Sequence, residues 1–165
     1  NIFSESHNDT FFVSSGGNTE LDQRSEIGFA ILTKVFTNIE ILVLKDRDIS
    51  SGRLNDENDR KIYLENNPKN HRVLNRWEIE NYLFDKEVLK AYCQVNEKEF
   101  KEQDYDSFVT DILNQNVKDE TGRIKNFCSI TTNVNPETFK LNLSTLITPE
   151  MQVYKELENV IFMRQ

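Results

Sequence analysis

The sequence predicts an α/β domain, a parallel sheet flanked by helices, with a mostly helical C-terminal extension. Three observations predict it. Ile41-Leu42-Val43-Leu44 is an unbroken apolar run of strand length, apolar residues at helical spacing precede it, and strand and helix patterns alternate after it. A strand covered on both faces reads as such a run, and strand alternating with helix marks a parallel sheet with right-handed crossovers.

Phe11-Phe12-Val13 reads as a short strand running into Ser14-Ser15-Gly16-Gly17, where glycine permits positive φ and close backbone approach. Asn18, Thr19 or Asp22 then supplies a helix cap. Ile27, Ala30, Ile31, Lys34 and Val35 fall at helical spacing, so Asp22 to Asn38 is predicted as an amphipathic helix. Glu40 to Lys45 follows as the strand at the centre of the sheet. Asp46 to Asp59 is polar and carries Ser50-Ser51-Gly52, hence a loop, which enters a short helix near Asn55 to Glu65. Asn66-Asn67-Pro68 stops that helix, because proline disfavours helical geometry in the residue before it. His71 to Leu74 is the next strand; a helix begins near Trp77, and Asp85 restarts or continues it through Cys93.

From Asn96 onward the pattern changes. Phe100, Tyr105, Phe108, Ile112 and Leu113 predict helix, Thr121-Gly122 a turn, and Phe127 to Val134 a strand or extended stretch. Asn135-Pro136-Glu137-Thr138 and Thr148-Pro149-Glu150 read as helix starts, and Met151 to Met163 as a closing helix. The expected organisation is therefore an α/β core over 1–95 with a helical extension, 96–165, packed on it and carrying no chemical signature of its own.

At 165 residues the chain is one ordinary domain, long enough to bury roughly two-thirds of its unfolded surface. The formal charge of -8 removes the simplest argument for nucleic-acid binding, a net basic surface. It leaves room for a metal-dependent nuclease, since carboxylates that hold cations are themselves acidic. No run approaches the roughly 20 apolar residues of a membrane helix, and no basic-then-apolar signal opens the chain, so a cytoplasmic protein with no membrane partner is expected. The opening polar segment, Ser4 to Asp9 after Asn1, reads as part of a fragment or processed chain. Cys93 and Cys128 form no CxxC and are expected as reduced, semi-buried thiols, while His7 and His71 read as surface or packing residues. With no GxxxxGK[ST] and no GxSxG, a P-loop and a serine nucleophile elbow are not supported.

The residues that would carry chemistry gather at strand ends, where ligands collect in open α/β sheets. Asp46 and Asp48 lie just past the strand, and the period of two along extended backbone points both carboxylates to one side, where they would share a hard cation, Mg²⁺ or Mn²⁺. The plainer reading is a solvated acidic loop balanced by Lys45, Arg47 and Arg53. Arg76-Trp77-Glu78-Ile79-Glu80-Asn81-Tyr82 follows the next strand at the same edge. Of its two acids Glu80 is expected to face the site and Glu78 the solvent, with Arg76 pairing a carboxylate or a phosphate through its planar fork. The plainer reading here is acids complementing a helix N-terminus. Gly16-Gly17 would let backbone approach a phosphodiester, although an ordinary turn explains it as well. Trp77, Tyr82, Phe84 and Tyr92 are expected in the core.

Strand, Gly-Gly turn, helix, Ile-Leu-Val-Leu-Lys45-Asp46-Arg47-Asp48, then a strand and Arg76-Trp77-Glu78-Ile79-Glu80-Asn81-Tyr82-Leu83, together resemble a Toprim (topoisomerase–primase) domain with its Rossmann-like sheet. More narrowly they resemble the Toprim-like half of OLD-family (overcoming-lysogenization-defect) nucleases, the ATPase-coupled phage-defence proteins. The resemblance covers about Phe11 to Cys93. It implies a Mg²⁺- or Mn²⁺-dependent endonuclease acting on DNA or RNA, DNA being the favoured substrate, partnered by an ATPase domain or subunit, with a homo-oligomer in prospect. Asp46 and Asp48 would be metal ligands, Glu80 a further catalytic acid, and Gly16, Gly17 and Arg76 substrate-binding. Such domains open with a strand ending in glutamate, which nothing before Phe11 matches. Either that strand lies upstream of Asn1, or the site is incomplete and the isolated chain inactive. Two other readings remain: a degenerate Toprim-like module serving interaction or dimerisation in a larger ATPase, and a receiver-like or phosphohydrolase-like acid pocket with Asp46 as phosphate acceptor.

Overall fold

The computed structural model describes residues 2–3, 7, 9–10, 12, 30–35, 38–47, 57–67 and 70–163. The expected Phe11–Val13 strand (Phe12 excepted), the Gly16-Gly17 turn, the start of the Asp22–Asn38 helix and Asp48 lie outside them. Phe12 is not in a strand, and residues 30–35 are helical.

Two short strands, β1 (Val43–Lys45) and β2 (His71–Val73), pair in parallel in the register Val43↔His71, Leu44↔Arg72 and Lys45↔Val73. Helix α1 (Glu57–Asn66) lies between them in the chain, the connection a parallel pair requires. The fold is therefore α/β, yet mostly helical. The strand expected over Glu40 to Lys45 shrinks to three residues because its partner is equally short. Val43 N–H donates to Asn70 O at 2.9 Å, and the Asn70 side chain takes the next carbonyl, Ile41 O, at 3.2 Å, so the ladder goes no further back. Among the described residues β1 has one neighbour only and is not the centre of a wide sheet.

From Glu80 onward the chain is mostly helical. Beyond α1 come α2 (Glu80–Leu83), α3 (Lys86–Val95), α4 (Glu102–Phe108), a 3₁₀ turn (Lys118–Glu120), α5 (Thr121–Phe127), α6 (Pro136–Ser144) and α7 (Gln152–Phe162). Asp85 caps α3 by accepting from Glu87 N–H at 3.0 Å, and Asn135 caps α6 from Glu137 N–H at 2.8 Å with Pro136 in the first turn. The helix expected from Trp77 starts only at Glu80. Ahead of it the amides of Asn75 and Arg76 donate to the Tyr82 hydroxyl, that of Trp77 to Leu113 O, and that of Glu78 to Asn81 Oδ1.

Two expectations in the C-terminal half are corrected. Thr121-Gly122 is the first turn of α5 rather than a loop. Phe127–Val134 forms no strand: Phe127 ends α5, Ser129 takes a left-handed backbone (φ 51°), and the carbonyl of Val134 is taken by the Lys125 ammonium at 2.8 Å.

Among the described residues an apolar cluster runs through both halves of the chain. Leu74, Tyr82, Phe84, Val88 and Leu89 from the first half meet Ile124, Phe139, Leu143, Val153 and Leu157 from the second. By contrast Ile31, Leu32 and Val35 in the described helical stretch are exposed, so the stripe expected to be buried there is uncovered in the isolated chain.

Candidate functional site at the strand ends

Burial alternates strictly along the end of β1. Val43, Lys45 and Arg47 are buried, whereas Leu44 and Asp46 are half-buried. In a parallel pair, residues in register share a face, so Val43, Lys45, His71 and Val73 lie together. Helix α1 covers that face: the Tyr63 ring sits 5.5 Å from the Lys45 ammonium, and the Tyr63 hydroxyl is 3.1 Å from His71 Nδ1. Leu44 packs instead against the helical core. The expectation that Asp46 and Asp48 point to one side turns on Asp48 as well as on Asp46, the half-buried first residue past β1. Asp48 and Gly16-Gly17 lie outside the described residues.

An acidic chain here concentrates buried cations. Lys45, Arg47, Arg60, Arg72 and Arg76 are each less than a tenth exposed. Three of them reach backbone carbonyls at the ends and edges of the short strands. Arg60 donates to Val73 O at 3.2 and 3.3 Å, and Arg72 to His71 O at 2.9 Å. Arg47 donates to Asn75 O at 2.8 Å, to Leu113 O at 3.1 Å and to Asn114 Oδ1.

Arg76 meets carboxylates. Its guanidinium reaches Asp85 Oδ2 at 2.6 Å, Glu156 Oε2 at 3.0 and 3.1 Å, and Asn81 O at 2.9 Å, and stacks 4.7 Å from the Tyr82 ring centre. Burial holds the Tyr82 phenol far above its ordinary pKa, so its hydroxyl stays protonated while it accepts from two backbone amides. Glu80 accepts from the Lys140 ammonium at 2.9 Å, and Lys140 also reaches Glu137 at 3.0 Å. Glu78 was expected to meet solvent; it is buried like Glu80, with Lys118 at 3.6 Å, because the two stand on a bend and a helix rather than on one helical face.

The remaining sequence candidates are structural in their contacts. His7 stacks on Phe162 with ring centres 3.8 Å apart and meets Glu158 at 3.0 Å. Cys93 and Cys128 are free, buried thiols, and burial pushes both above their usual pKa. Tyr82, Phe84 and Tyr92 are core residues as expected, and Trp77 is half-buried.

A hard divalent ion needs several oxygen donors. Asp46 fits as one, by its place past β1 and its partial exposure. Glu80 does not fit while its carboxylate is held by Lys140. Among the described residues no three His, Cys, Asp or Glu side chains come together around one point. Sequence reading missed Glu156 and Lys140, whose pairings span 80 and 60 residues, and the turn over 111–115, which meets Asn81 31 and 34 residues away. The one local cue was Asp111, whose carboxylate accepts from Leu113 N–H and Asn114 N–H in an Asx turn. No protein-family model, no curated protein and no solved structure matches the chain. No helix among the described residues is long and apolar enough to cross a membrane.

Proposed function

We propose that the chain is the Toprim-like, cation-binding part of an ATPase-coupled nuclease that hydrolyses the phosphodiesters of DNA or RNA, DNA being favoured, using Mg²⁺ or Mn²⁺ held by Asp46 and Asp48. One observation supports this reading most: Asp46 stands directly past the carboxyl end of a strand in a parallel pair, half-buried, with Lys45 and Arg47 on either side of it buried. When bound, such an ion acidifies a coordinated water and neutralises charge on the phosphate.

The protein's own residues divide the remaining work. Asp46 offers a hard anionic oxygen at the rim. Arg76 and Glu80, both expected at the chemistry, hold the edge in shape instead, since their charges are matched by Asp85, Glu156 and Lys140. That same matching favours the second reading, a degenerate module that keeps the fold and the cation but serves as an interaction domain of a larger ATPase.

The experiment is a cleavage assay on duplex DNA and on RNA with Mg²⁺ or Mn²⁺, with the chain in its full-length parent, beside melting curves of the chain itself. Saturating cation at about 100 times Kd should raise stability by roughly 2.7 kcal/mol. Asp46→Asn with Asp48→Asn should abolish both the cleavage and the shift. A shift without cleavage selects the interaction module, and an identical cation response in wild type and double variant ends the site assignment.

A further inference from the structure

We infer that Cys93 and Cys128 form an oxidation site, at which hydrogen peroxide converts two adjoining thiols into a disulfide, with Cys93 the attacking residue and Cys128 the resolving one. The site uses none of the residues at the strand ends and stands apart from the cation reading. The two cysteines, distant in the sequence, meet because the helices that carry them end together. Cys93 stands in the last turn of α3, and Cys128 directly follows α5. A single carbonyl joins the two ends: Glu99 O accepts from Ser129 Oγ at 3.0 Å and from the Cys93 thiol at 3.9 Å. Close by in the chain, Lys101 N–H donates to Phe127 O at 2.8 Å. Within that frame the thiols face one another at hydrogen-bonding reach, Cys128 donating and Cys93 accepting. Both are free, and both belong to the apolar core.

The hydrogen bond between the sulfurs sets the order of reaction. A thiolate, not a thiol, attacks peroxide, and a second thiol beside it resolves the product. Burial holds both thiols above their usual pKa. At Cys93 the proton offered by Cys128 and the charge of Lys98 work against burial. At Cys128 the Cys93 sulfur adds to burial, and Lys98 offsets it least. Cys93 is also nearer to solvent, because residues 94–99 are all exposed. Among them Glu97 holds a left-handed backbone (φ 51°), which is costly for a residue with a Cβ, so this turn opens more readily than the core beneath it. The Cys93 thiolate attacks one peroxide oxygen, the O–O bond breaks, and a water leaves once the displaced oxygen takes a proton, giving a sulfenic acid. The Cys128 thiol gives up its proton and displaces the sulfenic oxygen as a second water, forming the S–S bond. Two thiols lose two electrons and two protons, and hydrogen peroxide becomes two waters. The bond closes a loop over the stretch that carries the 111–115 turn, which restricts the unfolded chain.

The test treats the folded, reduced chain with hydrogen peroxide, blocks remaining thiols with an alkylating reagent and maps the peptides by mass spectrometry, with and without dithiothreitol. Both thiols should disappear together, with the mass lower by two hydrogens and a peptide joining Cys93 to Cys128 that dithiothreitol separates. The closed form should melt several degrees above the reduced one. In Cys128→Ser the sulfenic acid at Cys93 should persist and be captured by dimedone, whereas in Cys93→Ser the Cys128 thiol should react severalfold more slowly. If a serine variant fails to fold, the alanine variant at that position replaces it, and the linkage in wild type decides the site by itself. Separate oxidation of the two sulfurs without a link, a disulfide between two chains, or a linked form that melts below the reduced one overturns the site. So do thiols that survive in the folded chain under peroxide that consumes them in the urea-unfolded chain. A Cys128 that reacts faster than Cys93 overturns the order of attack.

Discussion

Arg76 pairs with two carboxylates from the most buried position of the described cations with two such pairs, and its burial sets the consequence. With its side chain 6% exposed, it faces Asp85 at 2.6 Å and Glu156 at 3.0 Å, themselves less than a fifth exposed. Removing one member of such a group leaves carboxylates buried without their counter-charge, so Arg76→Ala should cost roughly 3–5 kcal/mol. Urea denaturation measures it, and a loss below about 1 kcal/mol, the worth of a surface pair, would contradict the assignment. How much was legible at this scale follows from distance along the chain. The place of Asp46 just past a strand was readable because an apolar run of strand length is a local signal. The partners of Arg76 and Glu80 were not, because Glu156 and Lys140 lie 80 and 60 residues away and nothing in the intervening composition encodes the pairing.

At the level of elements, local signals were legible where a cap or a proline acts on its own helix. Asp85, Asn135-Pro136 and the stop after Asn66 each mark a boundary within a residue or two. Glycine misled, because this chain places it where a helix runs and places other residues where the backbone is left-handed. Helices α3 and α5 both end in a Schellman arrangement: Lys98 N–H returns to Cys93 O at 2.8 Å and Ile130 N–H to Lys125 O at 3.1 Å. The left-handed positions are filled by Glu97 and Ser129, each with φ 51°. Gly122, inside α5, has open space where a Cβ would stand. Glu97→Gly and Gly122→Ala should therefore each stabilise the protein, by about 0.5–1 kcal/mol. Thermal or urea melts of the two variants check this, and destabilisation by either would show that the backbone there is not as described.

On the scale of the whole molecule, the sheet edge and the helical half are one cooperative unit. Leu74 and Tyr82 pack in the same cluster as Phe139, Leu143 and Leu157, and α7 packs directly against β2. A chain ended after Val95 would lose those apolar partners together with Glu156, Lys140 and the 111–115 turn. It should show no cooperative thermal transition by circular dichroism, whereas a sharp melt would mean that the first 95 residues carry their own core. The fold class was visible from β1, α1 and β2; the dependence of the strand-end edge on the C-terminal helices was not, since their apolar spacing gives helices without saying what they cover.

The central claim concerns one place, the rim past β1. A crystal grown with Mn²⁺ and measured for anomalous scattering addresses it most directly. The account predicts a single strong peak bridged by the carboxylates of Asp46 and Asp48, with Arg47 turned inward against Leu113 and Asn114. Carboxylates pointing apart with no peak between them, or a peak held by other residues, would contradict it.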